Sequence, residues 1–397
     1  MKILILSVSP YVNTGYGLIS KNLIDTLKEL GHEVRLLAYY GNKYRDNYNG
    51  VDIYPTYGNS YGNQSCYAHC LTWKPDLFLT TFDLFVLDSD FLKRIKEMGI
   101  KTSSLLMVDA SPYQNQNTQA LQEVDYPIIV TRWAREQLPK DIRDRCTYIP
   151  LQLHQDYTPF DKKAAKLKYN EFMGGEILNE DSKLVTVVSA NVGDQQNRKN
   201  FYAIIYGWQK YLEMNEDINT YLHLHTDVRG ISSKGIDLKT MMMVAKYTGK
   251  QASTVIFPNQ MAYLNNEITT QQLNTIYNAS DIYLNPSQGE GFGLPVSESI
   301  ASGCQPLVTD FGAAKEIVHN CYNSPSNYLL KGEPIYVGGQ STRINASPNT
   351  VAQGIDYLFK NPTPITDRLN ASKKCIEEYG QEHNMELWEE FLKKVEL

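Results

Sequence analysis

A short apolar run followed by a stretch with helical spacing recurs along this chain, and the recurrence comes in two consecutive series. The first opens with KILILSV, a run suited to a strand buried on both faces. After the glycine-containing loop SPYVNTGYG, Ile19, Leu23, Leu27 and Leu30 recur at helical spacing until Gly31. HEVRLLAYY, PDLFLTTF, KTSSLLMVD and YPIIV continue as strands, and this half closes near CTYIPLQLHQDY. The second series starts at KLVTVVSANV and runs through helical NFYAIIYGWQKYLEM, strands TYLHLHTD and STVIFP, helical TTQQLNTIYNASD and strand IYLNPS. Alternation of this kind predicts a parallel doubly wound sheet in each half.

A length of 397 residues exceeds one comfortable core and agrees with two domains. We expect a first domain over 1–158, a second over 159–375, and a last helix within 376–397, NMELWEEFLKKVEL, packing back on the first. Ligands of open α/β sheets sit beyond the carboxyl ends of the strands, so the cleft between the two domains is the expected site.

The formal net charge of -6 gives no general pull toward nucleic acid or anionic membrane. No segment reaches the length of an apolar membrane span, and the amino-terminal run reads as a strand, so a cytoplasmic protein is expected. Six scattered cysteines suit a reducing compartment. Cys66, His69 and Cys70 lack a fourth ligand at zinc spacing. His223 and His225 face one side of a strand and read as polar residues near a sheet end. The Asp88–Asp90 pair reads as a helix cap.

The stretch NPSQGEGFGLPVSESIASG carries the chemistry. Gly289, Gly291 and Gly293 permit a tight bend and close backbone approach to a ligand. Pro295 suits the first position of a helix, which would put Glu298 in the first turn and let Gly303 end it. A helix amino end favours an anion, phosphate above all, whereas Glu290 and Glu298 are acceptors for hydroxyl groups. A ligand with both phosphates and sugar hydroxyls satisfies the two demands, and a nucleotide-sugar has both.

On these residues the chain resembles the retaining glycosyltransferases of family 4, whose fold is called GT-B. GEGFGLPVSESIASG follows that family's signature nearly position by position, and PLVTDFGAAKEIV continues it. The resemblance implies an α/β protein of two facing Rossmann-like domains that uses an NDP-sugar as co-substrate, with no other cofactor and no metal. By it Glu290 holds hydroxyls of the transferred sugar; Gly291, Phe292, Gly293 and Leu294 offer backbone N–H groups to sugar and phosphate; Glu298 binds the ribose. Arg198 and Lys199, in NVGDQQNRKN, would grip the diphosphate, in a spelling similar to a subgroup that includes viral members. Gly15 and Gly17 occupy the turn that approaches the donor phosphates. Asp109 stands where the family commonly has His, and Gln305 where it has a proline, displaced here to Pro306.

Residues 39–67 carry eight tyrosines among asparagines and glycines. They read as a long surface loop with partly packed tyrosines, or as an acceptor-binding surface, tyrosine offering an apolar face and a hydroxyl. The choice of donor and acceptor is expected in this stretch and in 226–250. The implied acceptor is a hydroxyl group, of a glycan in the first place. A DNA-base glycosyltransferase of phage type and a non-catalytic sugar-nucleotide-binding protein are the alternatives.

Overall fold

The computed structural model describes residues 1–396 apart from 13, 58–59, 194–196, 216–218 and 232–233, with the side chains of 60 and 115 also outside the description. Part of the basic loop, 194–196, and part of the 39–67 and 226–250 stretches therefore lie outside the described residues. The chain forms two compact units. Unit 1 comprises Met1–Gln152, Gly338–Ser341 and Gln381–Leu397; unit 2 comprises Leu153–Val337 and Thr342–Gly380. The last helix, Gln381–Glu396, belongs to unit 1.

Unit 1 is built on an eight-stranded sheet: β1 (Lys2–Ser7), β2 (Glu33–Ala38), β3 (Asp46–Tyr48), β4 (Val51–Pro55), β5 (Leu77–Thr80), β6 (Lys101–Leu106), β7 (Tyr126–Ile129) and β8 (Thr147–Tyr148), in the order β3-β4-β2-β1-β5-β6-β7-β8. Every pairing is parallel except β3 with β4. In β1, Ile3, Leu4, Ile5 and Leu6 are fully buried, which is why the sequence shows an unbroken apolar run there. The helix Gly15–Glu29 buries Ile19, Leu23 and Leu27 on one face and begins at Thr14, whose side chain accepts from Gly17 N.

The stretch 39–67 is not the plain surface loop that its composition suggests. Tyr48 and Val51 close an edge hairpin around Asn49 and Gly50, both left-handed at φ +49° and +78°. Asn-Gly is the residue pair that a two-residue hairpin loop favours. A helix, Asn63–Trp73, then places Cys66 and Cys70 in the apolar core, while His69 packs edge-on against Tyr54 at 4.6 Å. Asp90 stands at the start of the helix Phe91–Glu97 but does not cap it: its carboxylate pairs with Arg94 at 2.5 Å, and the capping expected of the Asp88–Asp90 pair is corrected accordingly.

Unit 2 has six parallel strands: β9 (Lys183–Val188), β10 (Thr220–His225), β11 (Val255–Ile256), β12 (Ile282–Asn285), β13 (Gln305–Thr309) and β14 (Leu329–Leu330), in the order β11-β10-β9-β12-β13-β14. A separate ribbon pairs β15 (Gly332–Gly338) with β16 (Ser341–Ala346). From β9 the chain winds outward to β10 and β11, then returns to β12 on the other side of β9. The strand order reverses there. No helix among the described residues is long and apolar enough to cross a membrane.

Candidate functional site

The reversal between β9 and β12 leaves a crevice at the carboxyl ends of two neighbouring strands, the place where open α/β sheets bind ligands. It also explains how residues some ninety positions apart meet. The loop after β9 carries Arg198 and Lys199; the loop after β12 carries Glu290. Lys199 Nζ lies 2.7 and 2.8 Å from the two Glu290 carboxylate oxygens, and Arg198 Nη1 lies 3.3 Å from Oε2. Glu290 is 9 % exposed. Burial alone would push its carboxyl up, but Lys199 first and then Arg198 outweigh that and hold it at about 2. It is therefore ionised across the physiological range.

The two loops are tied by backbone as well as charge. Arg198 O accepts from Gln288 N at 2.8 Å and from Ser287 Oγ at 3.1 Å, and Arg198 Nη1 donates to Gly289 O at 2.9 Å. Asn200, buried and left-handed at φ +55°, does three things at once. Its carbonyl oxygen caps the helix Phe201–Met214 through Ala203 N, and its amide nitrogen donates to Pro286 O and Ala346 O at 3.2 and 2.9 Å. The sequence reading missed this residue. Its position directly after the basic pair and before an apolar helix was the available signal.

Of the three loop glycines, only Gly293 is left-handed, at φ +94°; it precedes the helix Leu294–Ala301 with no side chain capping that end. The helix begins one residue earlier than Pro295. Glu298 is consequently its fifth residue rather than part of the first turn, a correction to the expected placement. Gly303, at φ +76°, follows the helix as foreseen. Phe292 is buried edge-on to Tyr379, centroids 5.4 Å apart, so what Gly291 to Leu294 can offer a ligand is backbone. Gln305 accepts from Thr363 N at 3.1 Å, a bond that a proline at that position could not make.

Glu298 faces a different environment from Glu290. It is buried, accepts from Tyr277 Oη at 2.9 Å and has Tyr157 as a second hydrogen-bond partner. Burial raises its carboxyl to about 7, the two tyrosines acting against the rise. Two glutamates eight positions apart thus differ in state, one ionised among cations and one half-protonated at neutral pH among phenols. Tyr157 and Tyr277 were not legible as partners, since Tyr277 reaches the 294–301 helix through the packing of the helix Thr270–Ala279 and Tyr157 comes from the segment before Lys162.

In unit 1, Gly15 and Gly17 occupy the first and third positions of the 15–29 helix. A Cβ on Gly15 would meet nothing within 4 Å, whereas one on Gly17 would lie 1.9 Å from Val12 O. Gly17 is therefore required by packing within its own turn, and Gly15 alone has open space. Asp109 is half-buried on the segment that follows β6. His223 and His225 are buried side by side on β10, rings 5.9 Å apart, and His223 Nδ1 meets Tyr169 Oη at 2.9 Å. Among the described residues no group of three or more His, Cys, Asp and Glu is arranged to hold a metal ion.

Residues 250–331, which include the 286–301 turn and helix, match the family model described as "Glycosyl transferases group 1". No curated protein matches the chain as a sequence relative. Among solved structures, the sucrose-phosphate synthase of Thermosynechococcus elongatus superposes with a TM-score of 0.75 at 13 % identity, covering 100 % of this chain and 99 % of that one. The Anabaena HepE protein in complex with UDP-glucose gives 0.70 at 12 % identity, with coverages of 99 % and 100 %. The catalytic domain of starch synthase IV from Arabidopsis thaliana, bound to ADP and acarbose, gives 0.63 at 12 % identity and 99 % coverage of both. The chain thus has the GT-B fold and carries a group 1 glycosyltransferase domain, which makes it an enzyme of the glycosyltransferase class.

Proposed function

We propose that the protein transfers a sugar from a nucleoside diphosphate sugar to a hydroxyl acceptor, with retention of anomeric configuration and without a metal, as a member of the family 4 glycosyltransferases close to its viral subgroup. The observation that carries this reading is the cluster of buried Glu290 with half-buried Arg198 and Lys199 beside the uncapped helix end at Gly293. Two cations and one carboxylate leave one net positive charge, and the helix end adds to it. A departing diphosphate gains negative charge at such a place, and fixed cations and amides stabilise it without reorganising.

In this mechanism Lys199 and Arg198 hold the diphosphate, backbone N–H groups of Gly291 to Leu294 orient sugar and phosphate, and the ionised Glu290 accepts hydrogen bonds from sugar hydroxyls. The leaving phosphate takes the acceptor's proton, so no covalent nucleophile is assigned. Gly15 gives the donor phosphates backbone access, and Asp109 accepts a hydroxyl where an imidazole is usual. The ribose contact implied for Glu298 uses acceptor positions that Tyr277 and Tyr157 leave on its carboxylate. Six free thiols, five of them buried, fit the cytoplasmic setting that this reading includes.

The test is to incubate the protein with UDP-, GDP- and ADP-glucose, with and without EDTA, and to read the first-formed anomer of released glucose by proton NMR. Release of the α-anomer, unaffected by EDTA, is expected from one donor. A β-anomer would refute retention, loss in EDTA would refute metal independence, and binding without release would favour a sugar-nucleotide sensor.

A further inference from the structure

Unit 1 has a strand-order reversal of its own, between β1 and β5, with β2 and β4 on one side and β6 to β8 on the other. Because these strands are parallel, the loops after β1, β2, β4 and β5 leave at one edge, and all four bring aromatic rings to it. Tyr11 and Tyr16 come from the first, Tyr39 and Tyr40 from the second, Tyr61 from the third and Phe82 from the fourth. Tyr39 stacks on Tyr61 with centroids 4.5 Å apart and planes 18° apart. Both stand edge-on to Phe82 at 5.9 Å, with Tyr16 tilted on it at 6.1 Å. Phe82 is buried and forms the floor. Tyr39 remains 40 % exposed beside it; Tyr40 and Tyr11 are 47 and 52 % exposed on the neighbouring loops, Tyr11 standing edge-on to Tyr48 at 5.9 Å with its hydroxyl donating to Asn47 O.

This shelf is held rigidly. Tyr39 N donates to Ser7 O and Ser9 N to Tyr40 O, at 2.8 and 3.0 Å, so the first two loops are zipped together. Gly41, at φ +100°, has no space for a Cβ, which would lie 2.3 Å from Val12 and 2.6 Å from Ser9. Tyr61 itself is left-handed at φ +56°. A bulky aromatic residue rarely adopts that conformation, and it costs free energy that a glycine would avoid. The strain sits on the residue whose ring completes the stack.

The charges of residues 39–67 balance, and the loop after β5 adds an acid, Asp83, directly after Phe82. Between residues 39 and 67 the charged side chains are Lys43, Arg45, Asp46 and Asp52, and Arg45 is paired with Asp52 at 2.5 Å. A polyanion would need uncompensated cations along its track. Flat rings rimmed by phenolic hydroxyls and amides suit instead a neutral, hydroxyl-rich molecule with an apolar face.

We propose that the Tyr39–Tyr61–Phe82 shelf is a subsite for a hexopyranose unit of a neutral glycan, which stacks its C–H face on Tyr39. The proposal rests on the glycosyl-transfer reading and names the chemistry of the acceptor. It is tested with the full chain on an array of neutral and acidic oligosaccharides and a single-stranded thymidine oligonucleotide, comparing Tyr39→Ala, Tyr61→Ala and Tyr39→Phe with the unaltered protein.

At least one neutral hexopyranose oligosaccharide should be retained, weakened about tenfold or more by either alanine substitution and kept by Tyr39→Phe. Retention should also be level between about 50 and about 200 mM salt. Three results would overturn the proposal: no neutral oligosaccharide bound, binding indifferent to both alanine variants, or preference for the oligonucleotide with steep salt dependence. UDP titration of the same samples separates the two readings, because a failed donor site leaves UDP unbound while the array still reports on the shelf. Should the thermal midpoint show that Tyr39→Ala and Tyr61→Ala do not fold, Tyr39→Leu, which keeps an apolar side chain but no flat ring, decides by the same criterion.

Discussion

Glu290 and Glu298 share one residue type and one motif, yet their surroundings shift their carboxyls in opposite directions, and pH experiments can tell them apart. For Glu290 the folded carboxyl lies near 2 against an ordinary 4.5. Its contribution to stability is fully present above about pH 4.5 and is lost as pH falls toward 2. Glu298 runs the other way. Its folded value near 7 means that the folded protein keeps a proton which the unfolded chain releases near 4.5. That contribution is complete below pH 4.5 and lost as pH rises through 7, by up to about 3 kcal/mol. His225, held near 4 by burial, opposes it, gaining stability as pH rises from 4 to 6.5. The difference between variants isolates the glutamate: the thermal midpoint of Glu298→Gln should rise relative to the unaltered protein between pH 5 and 8. At Glu290, substitution by Gln removes the charge that Lys199 and Arg198 face, and donor turnover should fall by on the order of 10²-fold or more, read as release of nucleoside diphosphate.

At the scale of elements, the apolar runs and helical spacings gave away both parallel sheets, because a strand covered on both faces has to be apolar throughout. The edge hairpin was hidden by its composition. β3 and β4 lie in a tyrosine- and asparagine-rich stretch, and the telling feature was the Asn49–Gly50 pair between Tyr48 and Val51. The two glycines after β1 looked equivalent in sequence and are not. Gly17→Ala should destabilise by roughly 1–3 kcal/mol in chemical denaturation, since its Cβ meets the Val12 carbonyl, whereas Gly15→Ala should change stability by less than about 0.5 kcal/mol. Asn200→Ala strips Pro286 O and Ala346 O of their donor. We expect a loss of about 1–3 kcal/mol, together with weakened nucleotide binding because Lys199 is its chain neighbour.

For the molecule as a whole, chain topology does what no local motif can announce. Each unit carries a strand-order reversal, and each reversal gathers loops that are distant in sequence: basic residues and Glu290 in unit 2, aromatic rings in unit 1. The GEGFG turn and the RK pair were legible as separate signals. Their meeting was not, because it depends on β12 settling against β9 rather than at the outer edge beyond β11. Nor were the tyrosines around Glu298, which come from a connecting segment and from a helix facing another one.

The central claim is that the Arg198–Lys199–Glu290 cluster is the place where a nucleoside diphosphate binds. Calorimetric titration of UDP, GDP and ADP into the unaltered protein and into Lys199→Ala tests it most directly. One nucleotide should bind, and its affinity should fall at least about tenfold in the variant, the size of one lost charge-assisted contact. Undiminished affinity in Lys199→Ala, or no binding of any nucleotide to the unaltered protein, would contradict the assignment.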